Sequence, residues 1–402
     1  EADVLVVNSC GFLATARDET VQVLAEIFAQ KKKTAKVIVT GCMTKHYSGY
    51  LKEKFPGKIH FLLGPGDSGQ ILQAVTAKKQ GELITCDSFL EDEPRFLTTP
   101  SHYAYLKIAE GCSKQCSYCI IPKIKGPLRS KPLAQVVAEF KKLLRQGVKE
   151  VILIAQDLGD YGKDLGLQQG LVQLLQALLA HPGDFWLRLL YLYPDEIDDP
   201  LLALFKDARL CPYLDLPLQH VSDRILKAMR RNITQKQMRL LLQKLKALPH
   251  LSLRSSFIIG FPGETPAEFA ALLAFLTEFQ LDQVGFFPFS AEALAPASRL
   301  PLQLAPAEIA DRTAQAAACQ QQIAAQRAKR WLNQTVWAFV EGYHPDSRLL
   351  LTARHAGQAP GIDSQIIINN PQYVKEFGKR YPIRICATAG LDLVGEVNPE
   401  FL

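Results

Sequence analysis

The chain has 402 residues, enough for two or three domains that each bury a core of their own. Apolar residues make up 48% and charged residues 21%, which excludes a disordered chain, and no apolar run approaches the ~18 residues needed to cross a bilayer. A net charge of +6 permits contact with RNA or a ribonucleoprotein without demanding it, since Lys31, Lys32 and Lys33, like Lys141 and Lys142, read as solvated helix faces.

The opening residues lack the basic start and long apolar core of a signal peptide, and they lack an initiator Met, so the chain is expected to be truncated at its beginning. Residues 1–92 alternate β-branched runs (4–7, 37–40, 60–63) with helical stretches such as 20–32, which predicts an N-terminal α/β domain on a small parallel sheet. The polar stretch 90–101, with two prolines and no periodicity, reads as a linker.

Over residues 102–305 the strand–helix rhythm repeats about six times. Strands are predicted at 105–109, 151–155, 186–191, 213–217, 252–259 and 283–289, with amphipathic helices at 133–146, 170–180 and 234–248. This pattern fits a full or partial TIM-like βα barrel, in which function sits at the C-terminal ends of the strands. Residues 306–334 read as a connecting segment, largely one Ala/Gln-rich helix at 307–332. Residues 335–402 turn to short strands (336–340, 347–352, 365–368, 383–387) between Gly-, Pro-, Asn- and Asp-rich turns, predicting a small closed β-barrel. Between residues 341 and 400 six Lys/Arg face seven Asp/Glu, so this module is about neutral.

Nine cysteines without a secretory signal argue for metal ligation or catalysis rather than a disulfide framework. Cys211, Cys319 and Cys386 are isolated and are expected to be small buried apolar side chains. The other signal is local: Glu110-Gly-Cys112-Ser-Lys-Gln-Cys116-Ser-Tyr-Cys119 places three thiols in one loop after a predicted strand. Three thiolates satisfy three irons of a 4Fe–4S cube and leave the fourth open to chelate a small molecule. Zinc is the alternative metal, but a closed tetrahedral site needs a fourth ligand, and the next dozen residues offer no Cys or His.

Past other strand ends lie Gln156 and Asp157, Arg188, Gln219 and His220, and Arg254, all candidates to face a ligand at the barrel mouth. Ser256-Phe-Ile-Ile-Gly260-Phe-Pro-Gly263-Glu264-Thr follows a late strand, and its glycines permit close backbone approach to a ligand. Read alone, that segment is a turn and a helix cap, with Thr265-Pro266 opening the next helix.

The C-x3-C-x2-C loop after the first strand of a βα barrel resembles the radical S-adenosylmethionine (SAM) superfamily. The resemblance implies that Cys112, Cys116 and Cys119 hold a 4Fe–4S cluster, that SAM binds the open iron, and that one-electron reduction splits it to a 5'-deoxyadenosyl radical. It also implies that Tyr118 lies near adenine and that Gly260, Gly263 and Glu264 belong to the motif cradling adenine and methionine.

The order of domains, with Asn8-Ser-Cys10-Gly and Gly41-Cys42 in the first, resembles the methylthiotransferases, whose terminal module is a TRAM-like β-barrel. That resemblance covers essentially the whole chain. It implies a second 4Fe–4S cluster, for which Cys10 and Cys42 match two of three ligands. The third would lie before residue 1, and Cys86 is a substitute whose position does not match the family pattern.

Within the family, one branch modifies an adenosine in tRNA and the other an aspartate on the twelfth protein of the small ribosomal subunit. Leu216-Pro-Leu-Gln219-His220-Val-Ser222, Ala155-Gln-Asp157 with Tyr161-Gly162, and Ala359-Pro-Gly-Ile362-Asp363-Ser are similar to the second branch. A near-neutral terminal module points the same way, because gripping tRNA phosphates calls for excess Lys/Arg. Lys125 and Lys131 stand where relatives often carry Arg, keeping the charge without the bidentate fork.

The resemblance further implies a cytoplasmic enzyme with no membrane partner, a sulfur donor, and an electron donor such as flavodoxin or ferredoxin. One SAM would methylate sulfur on the second cluster, and the radical from another would take a hydrogen from the unactivated aspartate Cβ. The competing class is a non-catalytic ribosome- or RNA-binding protein that keeps the fold.

Overall fold

The computed structural model describes residues 2–85 and 96–401; Cys86 and the first half of the expected linker lie outside the described residues. The chain divides into two compact units.

The first unit comprises Glu1–Phe96, Glu110–Arg129 and Ser290–Leu300. Its first part runs β1 (Val4–Ser9), α1 (Ala14–Gln30), β2 (Lys36–Gly41), α2 (Cys42–Lys54), β3 (Phe61–Leu63), α3 (Ile71–Thr76) and β4 (Gly81–Leu83), and the four strands pair in that order, all parallel. The period of two along β2 divides the core. Val37 and Val39 pack with Leu24 of α1 and Met43 and Leu51 of α2, while Ile38 joins Phe61, Leu63 and Ala74. Fully burying each such aliphatic chain contributes about 1.5–3 kcal/mol. Strand β4 escaped the sequence reading because Gly-Glu-Leu carries no β-branched run.

The cysteine loop, flanked by the two-residue strands β6 (Ala109–Glu110) and β7 (Arg129–Ser130) that follow β5 (Tyr103–Lys107), carries the short helix α4 (Ile121–Lys125). Ile120 and Ile124 pack with Ala295, and Phe12, Cys42 and Leu294 lie against them.

The second unit comprises Leu97–Ala109, Ser130–Phe289 and Pro301–Leu402. After β5 come α5 (Leu133–Arg145), β8 (Glu150–Ile154), α6 (Gly170–Leu179), β9 (Trp186–Leu189), α7 (Asp199–Ala203), β10 (Tyr213–Gln219), α8 (Asp223–Ala228), α9 (Gln235–Lys246), β11 (Ser252–Ile259), α10 (Pro266–Phe279) and β12 (Gln283–Pro288). The six longer strands form two parallel three-stranded sheets, β5-β8-β9 and β10-β11-β12, joined by a bridge between Leu187 and Leu210. This is the partial βα barrel that the repeats predict. Thr265 caps α10 in a reciprocal capping box with Glu268, and Pro266 fills the first turn, where its missing N–H costs nothing.

Helix α11 (Pro306–Ala328) stops short of the predicted 332, because Lys329–Trp331 tighten into a 3-10 turn. Then β13 (Thr335–His344), β14 (Ser347–His355), β15 (Ile366–Ile368), β16 (Arg380–Ala389) and β17 (Asp392–Val397) close a barrel in the order β13-β14-β15-β17-β16. Its core holds Val340, Leu351, Ile366, Ile383, Ile385, Leu393 and Val397. The same alternation along β16 corrects one expectation. Ile383 and Ile385 point inward, so Cys386 is exposed rather than buried, whereas Cys211 is buried and Cys319 half-buried.

Candidate active site

Each unit carries one group of the residues singled out by sequence. In the first unit, β1 and β2 run parallel with Ser9 opposite Gly41, so Cys10 and Cys42 follow adjacent strand ends at the same level. Gly41 adopts φ +95°, and a Cβ there would strike the Ser9 carbonyl oxygen. The Ser9 hydroxyl ties the two ends by donating to the Thr40 carbonyl at 2.6 Å. Burial pushes the Cys42 thiol up, the Lys125 ammonium opposes this, and Cys10 and Glu110 reinforce it. Lys125 is held 3.2 Å from the Glu110 carboxylate. Cys10 itself is exposed.

The C-x3-C-x2-C loop belongs to the same unit. Gly111, at φ +79°, turns the chain where a Cβ would meet the Pro127 carbonyl. The Cys112 N–H then donates to the Gly126 carbonyl at 3.1 Å, and the Cys119 N–H to the Cys116 carbonyl at 3.1 Å. Cys112 and Cys116 are buried and Cys119 half-buried, and the Ile121 N–H points at the Cys119 sulfur at 3.4 Å. Burial pushes the Cys119 thiol up to about 12; the Ile121 N–H opposes this, and the neighbouring Cys116 and Cys112 add to it. A desolvated Cys119 thiol beside two further thiols disfavours being charged unless a cation shares the loop, which fits an iron cluster bound as a tris-thiolate. Tyr118 is half-buried beside them.

In the second unit, two strand ends and a helix converge on one carboxylate. Glu264 is buried; its Oε2 accepts the Gly260 N–H at 3.1 Å and lies 3.3 Å from His220 Nε2, while its Oε1 accepts from Arg312 Nη1 at 2.5 Å. Burial alone would raise the Glu264 carboxyl, but His220, Arg312 and the Gly260 N–H hold it below the ordinary range. His220 Nδ1 accepts the Ser222 N–H at 3.0 Å, which turns Nε2 towards the Glu264 carboxylate. Gly260, at φ +76°, packs so tightly that a Cβ would lie 2.5 Å from Ile309 Cγ1. By contrast, a Cβ on Gly263, at φ +80°, would meet nothing closer than Arg224 Nη1 at 3.5 Å, while its N–H donates to the Leu302 carbonyl at 2.8 Å and its own carbonyl accepts from Arg224 Nη2 at 2.6 Å.

Thus the structure brings Gln219, His220, Gly260, Gly263 and Glu264 together and adds Arg312 of α11, which sequence reasoning missed. Gln156 is half-buried past β8, and Asp157 caps its turn by accepting the Gly159 N–H at 3.0 Å and the Tyr193 N–H at 3.3 Å. Asp157, Asp160 and Glu196 gather within 4.8 Å, with the Lys163 ammonium 2.7 Å from Asp160 and 2.6 Å from Glu196. Arg188 and Arg254 lie deeper along their strands. Arg188 is fully buried with its Nε donating to Glu150 at 2.6 Å, and Arg254 pairs with Asp215 at 3.1 Å.

The chain is similar to known proteins over nearly its whole length. Residues 106–276 match the radical SAM superfamily, 1–64 the uncharacterized protein family UPF0004 and 334–397 the TRAM domain. The chain is 49% identical to the ribosomal protein uS12 methylthiotransferase RimO of Protochlamydia amoebophila, over 99% of this chain and 85% of that protein. It is 49% identical to the RimO of Chlamydia felis, over 99% and 87%, and 40% identical to that of Syntrophotalea carbinolica, over 100% and 90%. Among solved structures, the radical SAM methyltransferase TsrM of Kitasatospora setae with cobalamin and a [4Fe-4S] cluster bound shares the fold. Its TM-score is 0.55 at 17% identity, over 74% of this chain and 66% of that one.

Proposed function

Because the chain belongs to the RimO family of radical SAM methylthiotransferases, we propose that it attaches a methylthio group to the β-carbon of an aspartate on ribosomal protein uS12. The observation that carries this reading is the pair of thiol sets in the first unit: Cys112, Cys116 and Cys119 in one buried loop, Cys10 and Cys42 at neighbouring strand ends.

Cys112, Cys116 and Cys119 would hold a 4Fe–4S cluster, and the chemistry such a cluster supplies when bound is reductive cleavage of SAM to a carbon radical. A radical suits the task because no acid or base near neutral pH removes a hydrogen from that unactivated carbon. Cys10 and Cys42, with a further ligand, would hold the second cluster, which brings the sulfur.

The residues of the chain prepare the site. Gly263 carries no Cβ, so the turn after β11 leaves room beside it for adenine or methionine, and Gln156, past the end of β8, and Gln219, at the end of β10, carry neutral amides. Glu264, saturated by His220, Arg312 and the Gly260 N–H, acts as the strut that fixes the end of β11 and has no vacancy for a proton from substrate. Tyr118 would stack near the base. Lys125, beside Cys42, offsets negative charge on the thiolates. The enzyme would work in the cytoplasm, with a sulfur donor and a small electron-transfer protein such as flavodoxin or ferredoxin as partners.

The near-neutral C-terminal module favours a protein substrate over tRNA, whose phosphates reward clustered Lys/Arg. Mass spectrometry of uS12 and of total tRNA from cells lacking this gene tests the assignment. The modified aspartate should vanish while tRNA methylthiolation persists, and the reverse outcome would overturn it.

A further inference from the structure

The segment between β14 and β15, which carries Ala359-Pro-Gly-Ile362-Asp363-Ser, leaves the closed barrel and enters the core of the partial barrel within the same unit. Ala359 is buried in a cluster with Ile152, Trp186, Leu190, Cys211 and Tyr213. The side chain of Asp363 is buried as well. Its Oδ2 accepts the Ala359 N–H at 2.8 Å, and its Oδ1 lies 3.7 Å from Arg254 Nε. The other edge of Arg254 donates to Asp215 Oδ2 at 3.1 Å. One guanidinium therefore joins a carboxylate from each barrel. Beside it, the Ser364 hydroxyl accepts from Gln283 of β12 at 3.3 Å and from Gln358 at 3.4 Å.

The placement along the strands gives this contact its meaning. Asp215 and Arg254 face each other in the β10–β11 register, and Arg254 faces Gln283 in the β11–β12 register. A few residues further on, β10 delivers Gln219 and His220, and β11 delivers Gly260, Gly263 and Glu264. Between Leu216 and Gln219 the β10–β11 ladder is interrupted by a register shift. Across the interruption the Ser255 hydroxyl donates to the Leu216 carbonyl at 2.7 Å and accepts the Leu218 N–H at 3.4 Å before pairing resumes at Gln219 and Phe257. Side chains thus take over part of the alignment, and the last charged tie below the interruption is Asp215–Arg254.

We propose that Asp363 is a positioning residue for SAM binding: through Arg254 and Asp215 it sets the relative placement of the ends of β10 and β11. The C-terminal module, on this view, completes the catalytic barrel in addition to whatever it does for the protein substrate. The proposal rests on the reading that these strand ends bind SAM.

The test measures 5'-deoxyadenosine formation by the anaerobically reconstituted full chain against SAM concentration, for wild type and Asp363→Asn, with iron content and melting temperature recorded for each. The expected result is a rise in KM for SAM of about tenfold with iron content retained. The effect should disappear when Asp363→Asn is placed in an Arg254→Met background, because the intermediary is then gone. A lowered melting temperature with unchanged KM, or an effect that persists without Arg254, overturns the proposal.

If Asp363→Asn does not fold, Ser364→Ala loosens the same segment more mildly. An increase in KM of about threefold is then expected, and no increase overturns the proposal. A wild type that binds iron yet fails to cleave SAM would instead refute the reading on which the proposal rests.

Discussion

Gly11 and Cys42 approach so closely that a methyl group on the glycine would lie 2.7 Å from the backbone carbonyl carbon of the cysteine. That contact lets the loop after β1, which carries Cys10, fold against the start of α2. Replacing Gly11 by Ala should force the two strand ends apart. The expected outcome is a fall in methylthiolation of roughly 10- to 100-fold, with SAM cleavage at the Cys112 loop retained. Iron per chain after reconstitution, read alongside 5'-deoxyadenosine and methylthiolated product, checks this.

Cys116 lies buried in the middle of the three-thiol loop, with its carbonyl closing the turn to Cys119. Cys116→Ala removes one thiolate and leaves the fold of both units in place. Deoxyadenosine production should be abolished while circular dichroism is unchanged. Persistent cleavage of SAM by that variant would refute the role assigned to the loop.

Arg312 of α11 donates to Glu264, 48 positions earlier in the chain, and both groups are buried. Truncating Arg312 to Met leaves a buried carboxylate with only His220 and one backbone N–H, a change expected to cost about 3–5 kcal/mol. Thermal unfolding should show the loss. Glu264→Gln in the same chain should restore part of the stability, because the uncompensated charge goes with it.

Glu150 is fully buried between Arg188 and Arg354, at 2.6 Å and 2.5 Å. Burial alone would raise its carboxyl, but the two guanidinium groups outweigh that and hold it down at about 2. A depressed carboxyl stabilises the folded state above the unfolded value of roughly 4.5, and this contribution is lost as pH falls through the folded value. The stability gap between wild type and Glu150→Gln, measured by urea unfolding, should therefore be constant from pH 8 to about 5 and narrow below that.

The elements with strong local signals were legible in the sequence. The β-branched runs gave β1 and β2, the capping pair Thr265-Pro266 marked the start of α10, and spacing alone singled out Cys112, Cys116 and Cys119. What escaped depends on partners far away in the chain. Arg312 sits in an Ala/Gln-rich helix whose sequence hints at nothing but a connector. Arg188 read as ligand-facing, yet the structure gives it Glu150 as a buried partner 38 positions earlier. Strand β17 was missed because Asp-Leu-Val-Gly-Glu-Val becomes a strand through its pairing with β15 and β16, not through local propensity.

The ring of strands at the C-terminus has one further consequence. Because β13 meets both β14 and β16, and β15 is joined to β17, each strand has neighbours on both sides. A protein that docks on this module cannot lengthen its sheet by adding a strand of its own. Recognition there must pass through outward side chains such as Trp337, which stands more than half exposed on β13. Point substitutions on the outer face, rather than changes in backbone pairing, are what would redirect its choice of partner.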